Sequence, residues 1–574
     1  MSARLRKRIL CLGSRRVYYW TGGHGPPVIL MHGSPGNAWL VKPLAERLLR
    51  YFAVYAIDTP GFGGSDSVPD RIECVAQLAD AYAEILDGLG LERVLVYGTH
   101  SGAAIGLELA HRHAARVAGF VLEGVPIFTE EEQRPLLAPD YLVALEPEIL
   151  GGHYARAWTR FHDQFIWFPW YSRAPKHLNE ADAGSTGDIH LWVEMYFQAM
   201  RHDYRPAYQT IIRSGRTARA AAADVRVPGV YLAEQSDMLF SHLDRLPPLH
   251  EGQRTERVPT PAEVPERIES ALRSLPAPAQ TGNRPAAVGH GELFFDLPGG
   301  EMFVRCRSKV GGTPLLLLHD APGAGRQLIA LQQALEPRRP VLLPDLPGCG
   351  ESDALPPDAR RLADYADAMA SMLRAHADRP VQVHAVGFGA AVALELNARH
   401  PDLVAGLSVT GLLRVTGAVR AAMIGRLAPP ITLADDGSHW YRTWLMLRDS
   451  LVRWPWYDRA PTALRRQALD FDAEQLHAWT CDVMRQWDAY HHVIDAVLEW
   501  NPDGAIAVAG PKLSIVLDAR HALHETDAKW ASSGIAAATW PDHASEQATL
   551  LASLCRDDQG PDHQVSGLRG ARNH

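Results

Sequence analysis

His100 is the residue whose type and setting most directly invite chemistry. It stands at the centre of Gly98-Thr99-His100-Ser101-Gly102, after the apolar run Val94-Leu95-Val96-Tyr97 and before Ala103 to His111, where the residues repeat at helical spacing. A strand that turns sharply into a helix exposes the middle residue of the turn and aims the next backbone N–H at a reacting oxygen. An imidazole in that place titrates near neutral pH and suits a general base. Ser101 is the rival nucleophile in the same string, but it comes one residue late and its side chain is expected to turn away. Elsewhere, His521, His524 and His543 could form a three-imidazole metal site, although unused histidines are the plainer reading. Gly387-Phe388-Gly389 hints at a dinucleotide loop, and a lone glycine pair is a weak signal.

The elements around these residues are written twice. Leu107-Glu108-Leu109 recurs as Leu394-Glu395-Leu396, and Val117-Ala118-Gly119 recurs as Val404-Ala405-Gly406. Phe168-Pro169-Trp170-Tyr171-Ser172-Arg173-Ala174-Pro175 recurs as Trp454-Pro455-Trp456-Tyr457-Asp458-Arg459-Ala460-Pro461, so the offset stays at 286 or 287 residues. In that register Gly387 occupies the place of His100. The first copy alternates strands, near 8–12, 15–20, 27–31, 53–57, 94–98 and 119–123, with helices near 38–50, 71–89 and after His100. That alternation implies a mostly parallel sheet covered on both faces. Residues 129–220 break the rhythm with aromatic, helical sequence and read as a lid, and the pattern resumes at Val227 to Leu232. The expected organisation is a domain over 1–275, a Pro/Ala/Gly-rich linker over 276–290, and a second domain over 291–556 with its lid near 414–500. A polar, disordered tail is expected over 557–574.

Composition bounds the partners. The chain has 574 residues, of which 47% are hydrophobic and 21% charged, with a net charge of −9. That balance suits a globular protein and argues against a nucleic-acid surface. Six scattered cysteines without metal spacing suggest a reducing compartment, and no apolar run is long enough to span a membrane, so the cytoplasm is expected.

Taken together, His32-Gly33-Ser34-Pro35, the loop Asp58-Thr59-Pro60-Gly61-Phe62-Gly63-Gly64-Ser65-Asp66, the His100 turn and the helical insert resemble the epoxide hydrolase and haloalkane dehalogenase branch of the α/β-hydrolase superfamily. The resemblance covers nearly the whole chain, twice. It implies an α/β fold of two tandem α/β-hydrolase domains, each a mostly parallel sheet flanked by helices with an inserted helical lid. It also implies a triad of nucleophile, acid after a late strand, and His in a final loop. Asp237 matches the usual acid position, and Glu123 matches an alternative used by some relatives. The final loop, Val258-Pro259-Thr260-Pro261-Ala262, holds no imidazole. The second copy has Gly387 at the turn, Thr410 for Glu123, a residue near His521 for Asp237, and a retained His543. Its His-Gly-x-Pro loop has become His319-Asp320-Ala321-Pro322.

These observations lead to a catalytic first domain and a degenerate second one, paired as an intramolecular pseudo-dimer. His100 would act as general base with Asp237 or Glu123 orienting it, and the Ser34 and Ser101 amides would form an oxyanion hole. Trp167, Trp170, Tyr171, Trp192 and Tyr196 would line an apolar cavity for a small hydrophobic or aromatic substrate, although the repeated Pro-Trp-Tyr segment also reads as a lid anchor. The expected activity is cofactor-independent attack on a carbonyl compound or epoxide, hydrolysis first. Lyase, decarboxylase or cofactor-free oxygenase chemistry in the same pocket is the alternative, and a ligand-binding pseudoenzyme is the other.

Overall fold

The computed structural model describes the chain apart from residues 1–3, 69–71, 140, 144–145, 179–192, 194–196, 198–203, 280–290, 308–309, 416, 466–470, 534 and 555–574. Trp192, Tyr196, most of the expected linker and all of the expected tail lie outside the described residues. The chain forms two compact units, Met1–Glu146 with His153–Gly289, and Pro147–Gly152 with His290–His574.

The first unit is built on eight strands: β1 (Arg6–Leu12), β2 (Arg15–Gly22), β3 (Pro27–Met31), β4 (Ala53–Ile57), β5 (Val94–Thr99), β6 (Val117–Glu123), β7 (Gly229–Glu234) and β8 (Gln253–Val258). Their order in the sheet is β1-β2-β4-β3-β5-β6-β7-β8. From β4 to β8 every pairing is parallel, and the antiparallel β1–β2 ribbon closes one edge. β3 reads Pro-Val-Ile-Leu-Met and is buried throughout, as a strand covered on both faces must be. The apolar groups divide between the two faces, with Ile29, Val96 and Leu122 packed on one and Leu30, Leu95 and Val121 on the other. Helix Val75–Leu89 covers the first face and ends where Gly90 adopts φ 69, a left-handed cap. Between β6 and β7 the helices Glu130–Leu136, Gly152–Ile166, Arg205–Arg213 and Gly215–Asp224 form the lid.

The second unit repeats the design with β9 (Gly291–Leu297), β10 (Gly300–Arg307), β11 (Leu315–Leu318), β12 (Val341–Pro344), β13 (Val381–Val386), β14 (Val404–Thr410), β15 (Leu513–Leu517) and β16 (Ala536–Thr539). Read from β9, the order is β9-β10-β12-β11-β13-β14-β15-β16, the same topology as the first sheet. Local polar clusters repeat as well. Asp80 binds Arg112 and His113, and Asp367 binds Arg399 and His400, with 2.7 Å from carboxylate to imidazole in both. Among the described residues no helix is long and apolar enough to cross a membrane.

Two glycines let the helix Ser101–Arg112 start against the end of the sheet. A Cβ on Gly98 would lie 2.3 Å from the Gly102 carbonyl oxygen, and one on Gly102 would lie 2.2 Å from that of Met31. Neither obstacle is a flexible side chain. Gly102→Ala is therefore expected to cost about 2 kcal/mol or more in chemical denaturation, as overpacking against fixed backbone does.

Candidate active site

His100 is the only non-glycine residue with positive φ among the described residues, at φ 51 and ψ −109. Such a backbone state costs roughly 1–3 kcal/mol and persists only when its surroundings hold it. Here the His100 amide donates to the Glu123 carbonyl at 2.8 Å, and the His100 carbonyl accepts from the Ala104 amide at 3.1 Å. The second unit holds Gly387 in the same geometry, φ 55 and ψ −122, with its amide donating to the Thr410 carbonyl at 2.8 Å. The backbone turn is thus common to both copies, and only the first carries a side chain there.

The imidazole Nε2 of His100 lies 2.7 Å from Asp237 Oδ2. Asp237 follows β7, and its other oxygen accepts the Leu239 amide at 2.7 Å, which fixes the carboxylate's orientation. Gly124 makes the approach possible, since a Cβ there would sit 2.5 Å from His100 Cδ2 and 3.1 Å from Asp237 Oδ2. The ring side chain is 45% exposed and the carboxylate 10%, so the pair opens outward from the His100 end. Burial would raise the Asp237 carboxyl, but the charge and hydrogen bond of His100, helped by the Leu239 amide, hold it below its ordinary value. A carboxylate acceptor places the neutral ring's proton on Nε2.

Glu123 has a different hydrogen-bond partner. Its carboxylate accepts from Tyr97 Oη at 2.5 Å, and burial raises its carboxyl despite that bond and the nearby His100 charge. Tyr97 precedes Thr99 by two positions on β5, and Thr99 lies opposite Glu123, so strand alternation brings all three to one face. The contribution of Glu123 to the turn is its backbone carbonyl.

The oxyanion hole departs from expectation. The Ser101 hydroxyl turns back to the His32-Gly33-Ser34-Pro35 loop, where it accepts the Ser34 amide at 2.5 Å and donates to Ser34 Oγ at 2.9 Å. The Ser34 N–H is therefore occupied by the protein's own serine. The Ser101 amide belongs to the first turn of its helix, where the helix itself supplies no acceptor. His32 shapes this loop without titrating in it. Its Nε2 accepts the Thr59 amide at 2.9 Å, its Nδ1 lies 3.0 Å from the Gly33 carbonyl, and burial pushes its pKa down to about 4.

The polar tips of Trp170 and Tyr171 are bound within the lid. Trp170 Nε1 donates to the Tyr141 carbonyl at 3.0 Å, and Tyr171 Oη donates to the Pro135 carbonyl at 2.9 Å. Trp456 Nε1 donates likewise to the Leu427 carbonyl at 2.8 Å in the second unit, so the repeated segment makes the same kind of contact in both copies. Trp167 lies under the Arg173 guanidinium, 4.3 Å from its ring centre. In the second unit His543 is exposed, and no group of three or more His, Cys, Asp or Glu among the described residues could hold a metal.

Residues 26–143 match a sequence family described as alpha/beta hydrolase fold, and residues 315–533 match one described as alpha/beta hydrolase family. Haloalkane dehalogenase 2 of Mycobacterium bovis is 35% identical over 107 residues, which is 19% of this chain and 37% of that protein. A poly(3-hydroxyalkanoate) depolymerase of Ectopseudomonas oleovorans is 32% identical over 145 residues, covering 23% of this chain and 51% of that protein. The chain thus spans about a third to a half of the length of these curated relatives. A solved esterase from Exiguobacterium antarcticum superposes with a TM-score of 0.36 at 18% identity, over 46% of this chain and 99% of that one.

The depressed Asp237 carboxyl has a consequence for acid stability. Its stabilising effect is complete above the unfolded-state value and disappears as pH falls through the lower folded-state value. The titratable groups facing the pair, Glu123, Tyr97 and His242, are common to wild type and variant. In urea melts, the stability gap between wild type and Asp237→Asn should narrow as the pH falls below about 4.

Proposed function

Because the chain belongs to the α/β-hydrolase superfamily, with two such domains in tandem, we propose that its first domain performs general-base chemistry on a small apolar carbonyl compound or epoxide. His100 is the base and Asp237 the acid that orients it. The observation that carries this reading is the 2.7 Å contact between Nε2 and Asp237 Oδ2, formed by an imidazole at the point of the turn. With Nε2–H directed to Asp237, the ring removes a proton at Nδ1, from water in the hydrolytic case. Asp237 then stabilises the imidazolium, a role for which its persistently ionised carboxylate is suited. The hydroxide attacks the carbonyl or epoxide carbon, the imidazolium returns its proton to the departing or ring-opened oxygen, and with the Ser34 amide taken the Ser101 amide is left as donor to the oxygen that gains charge. An acyl-serine route through Ser101 is disfavoured because its hydroxyl is committed to Ser34 rather than to an imidazole.

The same commitment favours one second reading. With the Ser34 amide occupied, reactions that build little charge on a tetrahedral oxygen, such as proton abstraction followed by elimination or carbon–carbon cleavage, make less demand on this site.

The test is a panel of small aryl esters, lactones and styrene oxide, followed by two variants. On a turned-over substrate, His100→Ala should lose about 10²- to 10⁴-fold in kcat/KM, the range of general-base catalysis, while a substrate-like ligand still binds. Binding without turnover in both forms would identify a ligand-binding protein instead. Asp237→Asn should lower kcat, because the ring loses the carboxylate that orients it and stabilises its protonated form. Heavy oxygen from labelled water should enter the product of hydrolysis, and its absence would favour the second reading.

A further inference from the structure

The turn of the second unit is not an empty relic. Asp320 stands where the first unit has Gly33, and its Oδ1 accepts two backbone amides, Ala321 N at 2.8 Å and Phe388 N at 2.8 Å. By register these amides correspond to Ser34 and Ser101, the pair expected to converge on a reacting oxygen. One oxygen of a carboxylate therefore occupies the point where both aim. The same group fills the space of a side chain at the turn, since a Cβ on Gly387 would lie 1.8 Å from Asp320 Oδ1 and 2.5 Å from Oδ2. Asp320 Oδ2 lies 3.7 Å from His521 Nε2, and a Cβ on Gly411 would lie 2.0 Å from that ring. His521 is itself anchored, its Nδ1 accepting the Leu523 amide at 3.1 Å, which leaves the ring's proton on Nε2, on the side of Asp320.

We infer that the second unit contains a preformed binding hole for a small carboxylate, held shut in this chain by Asp320 as a tethered occupant. Two convergent amides and an N–H-bearing imidazole favour an anion over a neutral carbonyl, because charge-assisted hydrogen bonds are the stronger ones. The turn at Phe388 adds the positive end of the helix Phe388–Arg399. The occupant is supplied by the loop rather than by the turn residue, so a side chain at 387 and the carboxylate at 320 exclude one another. The inference is independent of the chemistry assigned to His100.

Asp320→Gly, which installs the residue of the first unit, empties the hole without adding bulk. Asp320→Asn keeps a neutral oxygen in place and leaves it filled. Thermal unfolding of the full chain is followed in increasing sodium acetate against sodium chloride at matched ionic strength. The glycine variant should melt below wild type in chloride and gain a saturable rise in Tm with acetate, as a ligand of the folded state requires. Wild type and Asp320→Asn should show no such acetate-specific rise. An equal acetate response in all three proteins, or none in the glycine variant, would overturn the inference. A second readout covers a glycine variant too unstable to melt cleanly. Gly387→Ala should be more damaging beside Asp320 than in the Asp320→Ser background, where the shorter side chain vacates the collision. Equal damage in both backgrounds would overturn it too.

Discussion

The structure of the first site depends on one backbone residue being held where non-glycine residues rarely go. At φ 51, His100 directs its ring out of the sheet edge and toward the loop after β7, where Asp237 waits. The turn survives because glycines at 98 and 102 allow strand and helix to meet closely, and because the Glu123 carbonyl holds the His100 amide. Gly124 then yields its Cβ space to the imidazole. Remove any of these and the dyad has no geometry, however well its two residues are suited to acid–base chemistry.

The second copy shows what the same backbone does without that imidazole. Its turn angles, its amide bond to the neighbouring strand and its sheet order match the first, yet the amides that would cradle a reacting oxygen hold the chain's own carboxylate. In the first copy the corresponding Ser34 amide is held by the Ser101 hydroxyl. Both copies thus satisfy a donor near the turn from within, as buried backbone N–H groups require. They differ in what a ligand must displace: a neutral hydroxyl in one, an anion bound by two amides in the other.

Much of this was legible in the sequence because it rests on periodicity. The buried run of β3, the helix up to Leu89 and the His100 turn are local patterns, and the repeated Pro-Trp-Tyr segments gave the duplication. Sequence alone leaves two acids open because Glu123 ends one strand and Asp237 follows another. What separates them is Tyr97, whose hydroxyl takes Glu123, a pairing that strand alternation on β5 could have suggested. The rotamer of Ser101 carries no such signal, because serine at the first turn of a helix can point either way. The hydrogen bonds of the lid aromatics carry no sequence signal for a related reason. Trp170 and Tyr171 look like pocket lining by type, but their polar tips reach carbonyls 29 and 36 residues upstream. The change from Gly33 to Asp320 was visible, and its meaning depended on knowing that two amides converge beside it.

The central claim is that Asp237 sets the proton on the His100 ring. Nitrogen-15 NMR of the histidine side chains, assigned by the loss of one signal set in His100→Ala, reports the tautomer directly. The expected result is a neutral His100 ring protonated at Nε2 in wild type, with that preference lost in Asp237→Ala. A ring protonated at Nδ1 in wild type, or a tautomer unchanged by that substitution, would overturn the assignment.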